Sequence, residues 1–193
     1  MRKLIVNEFV TLDGVMQAPG GKDEDRDGGF EHGGWTIPYW HDDIGTKHFG
    51  AILKDIDALL LGRRTYVIHG EAFEPNPEHD PFGPVKKYVV SKTLKKPIWR
   101  DTTMIRDNVI ESISALKAQP GKNIFTDGSS QLVHTLLEHD LVDELHLLLY
   151  PLTLGSGKRV LPNGVTAKFR VMSTESYPTG VVGLHYERQH GGK

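Results

Sequence analysis

A chain of 193 residues is long enough to bury one substantial core, and its length predicts a single domain over residues 1–193. Its 23 lysine and arginine residues nearly balance 25 aspartate and glutamate residues, which argues against a broad basic surface for nucleic acid. The lack of cysteine excludes disulfides, thiolate metal sites and a cysteine nucleophile, and no apolar run approaches the ~20 residues of a membrane helix. We therefore expect a soluble, cytoplasmic protein that acts on a small molecule and contacts neither nucleic acid nor membrane.

The N-terminal part of the chain predicts a strand, a long loop and a helix. Residues 3–12 are mostly apolar and end at the turn signal Asp13-Gly14, which is typical of a strand. Residues 15–38 are rich in glycine, aspartate and proline, and a loop of this length in a compact domain is usually functional or mobile. We interpret this loop as a lid over a binding site. Apolar residues at helical spacing then predict a helix over residues 42–54.

The rest of the chain alternates between predicted strands and helices. Strands are expected at residues 58–61, 86–91, 98–100, 103–105, 123–126 and 145–150. Helices are expected from Arg63, over Val109–Ala118 and over residues 130–139. The last two β segments, Phe169–Ser176 and residues 181–187, predict an antiparallel hairpin. This order predicts an α/β fold in which helices cover both faces of a mainly parallel central sheet.

Two of the predicted strand-to-helix turns carry chemistry that suits phosphate. Gly-Arg-Arg-Thr at residues 62–65 combines the free N–H groups of a helix N-terminus with two guanidinium groups and a hydroxyl. Asp-Gly-Ser-Ser at residues 127–130 is a similar turn, and Ser-Lys at residues 91–92 ends a third strand. Ligands of parallel sheets bind beyond the carboxyl ends of the strands. Together the three strand ends indicate a dinucleotide, although each one alone is also explained as an ordinary polar turn.

In their order and spacing, these motifs resemble the dihydrofolate reductase-like superfamily. The resemblance covers nearly the whole chain and is to the branch that contains the reductase domain of bacterial bifunctional riboflavin-biosynthesis proteins and its stand-alone relatives. It is carried by Thr-Leu-Asp-Gly at residues 11–14, Leu-Gly-Arg-Arg-Thr-Tyr at 61–66, Val-Val-Ser-Lys-Thr-Leu at 89–94, Asp-Gly-Ser-Ser-Gln-Leu at 127–132, Leu-Val-Asp-Glu-Leu at 141–145 and Tyr-Pro-Leu-Thr-Leu-Gly-Ser-Gly at 150–157. The resemblance implies a dihydrofolate reductase-like fold and an oxidoreductase that takes its hydride from NADPH.

The resemblance also implies which residues hold NADPH. Phe9 and Val10 are expected to flank the nicotinamide, although both are equally explained as core residues. The phosphates and the adenosine side are expected to contact Gly62, Arg63, Arg64, Thr65, Ser91, Lys92, Gly128, Ser129, Ser130 and Gln131. The family usually has two adjacent glycines at the second turn, whereas this chain has Asp127 before Gly128. A carboxylate there repels a pyrophosphate unless it points away or caps the following helix.

The expected substrate differs from folate. True dihydrofolate reductases follow a Trp-x-x-Pro stretch with a buried carboxylate that helps to protonate the pterin. Here Trp35 begins such a stretch, but it is followed by Tyr39 and Trp40, with acids only at Asp42 and Asp43. This argues against authentic dihydrofolate reduction and favours another small heterocycle or a carbonyl compound. The activity that the resemblance implies most closely is that of 5-amino-6-(5-phosphoribosylamino)uracil reductase in riboflavin biosynthesis.

The candidate substrate contacts each have a second interpretation. Trp35, Tyr39 and Trp40 offer flat surfaces for a planar ring, or they anchor the loop on the core. Asp13, the candidate catalytic residue, orients substrate or relays a proton, or else it bonds the backbone of its own turn. The histidines show no metal-ligand spacing, so no metal site is predicted. The alternative to a reductase is a nucleotide- or pterin-like-ligand-binding protein of the same fold without efficient turnover.

The C-terminal strands carry apolar residues that predict a homodimer. Relatives in the riboflavin branch commonly pair through sheet edges and C-terminal strands. The apolar residues of this chain in those strands are Leu145, Leu147, Leu149, Val181, Val182 and Leu184. Some of them must serve the core, and pairing would cover strand edges that otherwise invite aggregation.

Overall fold

Eight strands form one sheet in the computed structural model, which describes residues 1–189. In chain order the strands are β1 (Leu4–Thr11), β2 (Ile56–Gly62), β3 (Lys86–Val90), β4 (Thr102–Ile105), β5 (Asn123–Asp127), β6 (Glu144–Tyr150), β7 (Phe169–Ser176) and β8 (Val182–Arg188). Their order across the sheet is β4-β3-β2-β5-β1-β6-β8-β7. The first six strands in this order run parallel, whereas β8 and β7 form an antiparallel hairpin at one edge. The predicted α/β sheet with a C-terminal hairpin is therefore confirmed.

Four helices connect the parallel strands. They are α1 (Gly50–Leu53), which continues a π-helical stretch over Ile44–Phe49, α2 (Arg63–Phe73), α3 (Val109–Ala118) and α4 (Ser130–Glu138). Short 3-10 turns lie at Asp27–Gly29, Ile37–Tyr39 and Pro77–His79. Within the described residues, none of the helices has the length and apolar character needed to cross a membrane.

The helices divide between the two faces of the sheet. Alternate residues of a strand face opposite sides, so β1 places Leu4 in one core cluster and Ile5 in the other. Leu136 of α4 belongs to the first cluster and Tyr66 of α2 to the second. Because α2 and α4 follow the neighbouring strands β2 and β5 but pack on opposite faces, a crevice opens between the two helix N-termini.

One predicted strand is wrong, and its absence has a specific cause. Residues 98–100 form no strand, because the N–H groups of Ile98 and Trp99 donate to the Tyr66 hydroxyl at 3.0 and 2.9 Å. These donors are therefore not available to a neighbouring strand. The predicted helix over residues 42–54 is present and contains a π-helical stretch over Ile44–Phe49. The other predicted strands and helices occur with ends that differ from the predicted ones by at most two residues.

Candidate active site

Two helix N-termini meet at the crevice between β2 and β5. The residues that precede them are in contact, since the Gly62 N–H donates to Ser129 Oγ at 2.9 Å. No side chain among the described residues caps the N-terminus of α2 or of α4. The first-turn N–H groups therefore remain available to an anion, and both helix dipoles favour negative charge at this point.

Glycine allows the two turns to approach each other closely. Gly128 has φ +69°, in the left-handed region that favours glycine, and a Cβ there would lie 3.1 Å from Thr65 Cγ2. A Cβ on Gly62 would lie 3.3 Å from Ser129 Oγ. Backbone rather than side chains thus forms the floor of the crevice, which is the arrangement that lets a pyrophosphate approach main-chain N–H groups.

A polar cleft of about 600 Å³ surrounds these turns. It collects predicted cofactor residues from three strand ends, namely Gly62, Arg63, Arg64, Thr65, Ser91, Lys92, Ser129, Ser130 and Gln131. Ser91 Oγ accepts the N–H groups of Thr93 and Leu94 at 3.2 and 2.9 Å, which fixes the chain after β3 beside the cleft. The fold therefore brings three distant sequence segments to one surface.

A second, apolar cleft of about 570 Å³ adjoins the polar cleft. The two clefts share Asp25, Arg64, Thr65, Ser129, Ser130 and Lys158. The apolar side chains in the lining of the second cleft include Phe9, Met16, Ile37, Trp40 and Ile68. Glu8 of β1, Asp127 of β5 and His69 of α2 also line it, together with the predicted Gly128. A cleft of this size and lining suits a small ring compound.

Glu8 and Asp127 are carboxyl groups removed from water. Glu8 is 2% exposed, and its Oε2 accepts the Gly128 N–H at 3.1 Å. Burial, and secondarily the charge of Asp127, raises the pKa of Glu8 well above its ordinary value. Burial also raises the pKa of Asp127 to about 7, against the opposing effect of a hydrogen bond from Asn7 Nδ2 at 3.5 Å. Burial therefore favours the protonated form of both carboxyl groups beside the cleft.

Sequence analysis missed Glu8 as a site residue, although a signal was present. Asn7 and Glu8 interrupt an otherwise apolar strand, and a buried polar side chain is costly unless it is satisfied or used. Asp127 does not cap the helix that follows the second turn. Ser129, not Asp127, is the N-cap residue of α4, and Asp127 Oδ1 instead accepts a hydrogen bond from Asn7.

Three histidines that are distant in sequence come together behind Asn7. Asn7 Oδ1 lies 2.6 Å from His48 Nε2, and His48 Nδ1 lies 3.2 Å from His185 Nε2. His146 stacks on His185 with 4.1 Å between ring centroids. Burial lowers the pKa of His48 to about 3, so its neutral ring donates to Asn7 and holds the amide NH₂ toward Asp127. In the described part of the chain, no group of three or more potential ligands has metal-binding geometry.

The loop over residues 15–38 places two carboxylates at the boundary between the clefts. Asp25 and Asp27 both form ion pairs with Arg64, and Lys158 Nζ lies 2.6 and 2.8 Å from them. The hydrogen bond from Arg64 is the main cause that lowers the pKa of Asp27 to about 2. Lys158, which sequence analysis did not select, is thus part of this network. Arg63 is exposed and forms no ion pair within the described residues, so of the two predicted arginines it is the one whose guanidinium is not already paired with a carboxylate.

Val10 and Asp13 lie outside the lining of both clefts. Val10 is 3% exposed and packs in the core, on the sheet face opposite to Phe9, because successive strand residues alternate. The Asp13 carboxylate accepts the Thr11 hydroxyl at 2.5 Å and the Gly155 N–H at 2.7 Å. These contacts favour the interpretation of Val10 as core and of Asp13 as an aspartate that holds a turn.

The three aromatic residues of the loop divide between anchoring and lining the cleft. Trp35 is buried, and its Nε1 donates to the Gln17 carbonyl oxygen at 2.8 Å. Tyr39 packs edge-on against Tyr150 with 5.9 Å between ring centroids. Trp40 lines the apolar cleft and is 47% exposed. Trp35 and Tyr39 therefore attach the loop to the core, and Trp40 alone of the three is placed to meet a ligand in this cleft.

A family comparison matches residues 2–183 to the RibD C-terminal domain, which is nearly the whole chain. The chain belongs to this family. The RibD C-terminal domain is the reductase domain of riboflavin biosynthesis, so the family supports an oxidoreductase. The Bacillus subtilis protein YyaP is 31% identical over 196 residues, which cover 96% of this chain and 94% of YyaP.

Two solved structures show the same architecture. A putative riboflavin biosynthesis protein from Shewanella sp. PV-4 superposes with a TM-score of 0.75 and 20% identity, over 97% of this chain and 99% of that one. Dihydrofolate reductase from Enterococcus faecalis, solved in complex with NADP(H), superposes with a TM-score of 0.64 and 16% identity, over 97% and 96% of the two chains. The fold of this RibD C-terminal domain is therefore dihydrofolate reductase-like.

Proposed function

We propose that this protein is an NADPH-dependent reductase that transfers a hydride to a small heterocyclic or carbonyl substrate. One observation carries the proposal: a polar cleft at two helix N-termini adjoins an apolar cleft that is lined by buried carboxyl groups. Hydride transfer requires such a division, because the cofactor must be held by its phosphates while its reactive ring meets the substrate away from water.

The residues of the polar cleft fit a phosphate-bearing cofactor. The uncapped N-termini of α2 and α4, which approach each other at Gly62 and Gly128, would hold a pyrophosphate. Arg63 and Lys92 are the cations we assign to a 2′-phosphate. When bound, NADPH supplies the hydride. The chain itself binds the phosphates, offers Phe9 to the reacting rings and excludes water with the loop over residues 15–38.

We propose a substrate most like that of 5-amino-6-(5-phosphoribosylamino)uracil reductase. Membership of the riboflavin-pathway family and the size of the apolar cleft support this choice. Asp42 and Asp43 line neither cleft, which supports a substrate other than dihydrofolate. The second candidate, a ligand-binding protein without efficient turnover, is favoured by the loop carboxylates that already occupy Arg64 and Lys158.

Cofactor binding and turnover separate these candidates. Fluorescence titration should show that NADPH binds, and absorbance should show NADPH oxidation with at least one member of a panel of aminopyrimidines and carbonyl compounds. Binding without oxidation would support the non-catalytic candidate, and failure to bind NADPH would refute both roles for the polar cleft. Gly128→Ala should weaken NADPH binding, since the added Cβ enters the crevice beside Thr65. Gly164→Ala, also at positive φ but with no atom near the added Cβ, is the matched control.

We also propose a homodimer that pairs through the C-terminal strands. Leu145 and Val181, two of the predicted interface residues, are buried in the core and are not available for pairing. The edge strand β7 instead exposes Val171 and Met172, which are 53% and 54% exposed. Light scattering at micromolar concentration should give twice the 21.6 kDa chain mass, and Val171→Lys should shift the mass to that of one chain. A monomeric parent protein would refute the dimer.

A further inference from the structure

Carboxylates of the loop over residues 15–38 already occupy the cations of the apolar cleft. Among the described residues, the lysine and arginine side chains that line this cleft are Arg64 and Lys158 alone. Arg64 forms ion pairs with both Asp25 and Asp27. Lys158 Nζ lies 2.6 and 2.8 Å from the same two carboxylates. Each cation therefore meets two carboxylates before any anionic ligand arrives.

A buried amide side chain fixes this network through the backbone. Gln17 is 4% exposed, and its Nε2 donates to the carbonyl oxygens of Asp25 and Asp27, each at 3.1 Å. Its Oε1 accepts the Lys158 N–H at 3.0 Å, so one side chain joins the loop to the segment that carries Lys158. The carboxylates are thus held in position by main-chain contacts, unlike an isolated surface pair, whose side chains must both be ordered.

The other ionisable groups of the cleft offer no positive charge to a ligand. Glu8, Glu24 and Asp127 are acidic, and no lysine or arginine of the described residues forms an ion pair with them. Burial lowers the pKa of His69 to about 4, so its ring is neutral at neutral pH. The helix N-termini do favour an anion, but the proposed cofactor engages them with its own phosphates. A phosphate on a second ligand would therefore meet carboxylates and no free cation.

We propose that Asp25 and Asp27 are specificity-determining residues, which occupy the cations of the apolar cleft so that it selects a flat ring substrate without a phosphate group. This inference rests on the proposed reductase function and narrows its substrate to a phosphate-free relative of the phosphoribosyl compound named above. A phosphate monoester carries nearly two negative charges at neutral pH, so it must displace both carboxylates or lie beside them. Either course weakens its binding, whereas the apolar walls at Phe9 and Trp40 contact a ring equally well with or without the phosphate.

Cytidine and cytidine 5′-monophosphate test this selection, because they share an aminopyrimidine ring and differ by one phosphate group. Each is titrated by NMR into the full chain at saturating NADP⁺, which occupies the polar cleft. The parent protein should bind cytidine about fivefold more tightly than the monophosphate, a factor that corresponds to one partly exposed charge contact. Equal affinities, tighter binding of the monophosphate, or binding of neither probe would overturn the proposal.

Isosteric variants assign the selection to the loop carboxylates. The double variant Asp25→Asn/Asp27→Asn frees both cations and should strengthen the monophosphate at least about tenfold relative to cytidine, as expected for a charge-assisted hydrogen bond. Asp25→Asn alone should shift the ratio less in the same direction. Adding Lys158→Met to the double variant should remove part of the gain. An unchanged ratio in a folded double variant, checked by circular dichroism, would overturn the proposal.

A matched control removes two charges from the same loop. Asp23→Asn/Glu31→Gln alters exposed residues that line neither cleft, so the ratio should stay at the parent value. An equal change in this control would assign the effect to net charge and refute the role of the two aspartates. NADP⁺ binding and NADPH oxidation distinguish this inference from the proposed function. Oxidation with a preference for phosphorylated substrates would refute the selection alone. Failure to bind NADP⁺ would refute the reductase, and titration of the two probes into the double variant and its control without cofactor would then still test the selection.

Discussion

Replacement of Arg63 should remove the preference for NADPH over NADH more completely than replacement of Arg64. Arg63 lines the polar cleft, is exposed and has no ion pair within the described residues, so it is free to meet a 2′-phosphate. A hydrogen bond to a charged group contributes about 1.5–3 kcal/mol, and exposure to water selects the lower end of that range. Because 1.36 kcal/mol is a factor of ten, Arg63→Ala should lower the NADPH/NADH affinity ratio by about 12-fold.

Arg64 must first release Asp25 and Asp27 before it can bind a phosphate, so part of its contribution is offset. Arg64→Ala should therefore lower the affinity ratio by a smaller factor than Arg63→Ala. Both cofactors are titrated by fluorescence against the parent protein and the two variants, with Arg63→Lys as a control that keeps the charge. Equal affinities of the parent protein for NADH and NADPH would refute the reasoning. An unchanged ratio in Arg63→Ala would refute the assignment to this residue.

Three further perturbations test the loop, the buried Asp127 and the core. Asp25→Asn removes a carboxylate that competes with a phosphate for Arg64, whose side chain is 44% exposed. Because an exposed ion pair contributes about 0.2–1 kcal/mol, NADPH affinity should rise about 1.4- to 5-fold in the same titration. A weaker affinity would show that the aspartate helps to bind the cofactor. The pKa of Asp127 is raised from 3.8 to about 7, so its contribution to stability is full below the unfolded value and is lost as pH rises through about 7. The melting temperature of Asp127→Asn should therefore rise relative to the parent between pH 5 and pH 8, and a constant difference would contradict this. Tyr66→Phe leaves two backbone N–H groups without an acceptor and should reduce the free energy of unfolding in urea by at least about 2 kcal/mol, whereas Tyr88→Phe, the control, should be nearly neutral.

The polar cleft was predictable because its signals are local. An apolar run followed by Gly62 and Arg63 predicts a buried strand that passes into a helix, and the helix N-terminus itself supplies the phosphate chemistry. The same holds for the turn before α4. Alternating strands and helices then place these turns at one edge of the sheet, since parallel strands have their carboxyl ends on the same side.

The apolar cleft was not predictable in the same way, because its polar groups meet only through long-range contacts. Glu8 reaches the Gly128 N–H across 120 positions of the chain, and the pairing of β1 with β5 decides that contact. Lys158 contacts Asp25, which lies 133 positions earlier in the chain. The segment around Lys158 has no regular secondary structure, and no strand or helix was predicted for it. The Tyr66 hydroxyl, which replaces a predicted strand pairing, likewise acts on residues more than 30 positions away.

The sequence by itself determined the elements, the mainly parallel sheet and the phosphate-binding turns, because hydrophobic periodicity and turn chemistry depend on neighbouring residues. Tertiary structure decided which polar side chains line the apolar cleft. It brought Glu8 and Asp127 to the lining of one cleft and turned Val10 away from Phe9. It also paired Arg64 with the loop carboxylates while leaving Arg63 exposed. Burial and the proximity of charges are properties of the packed chain, and they control both the protonation of the buried carboxyl groups and the cation left for a phosphate.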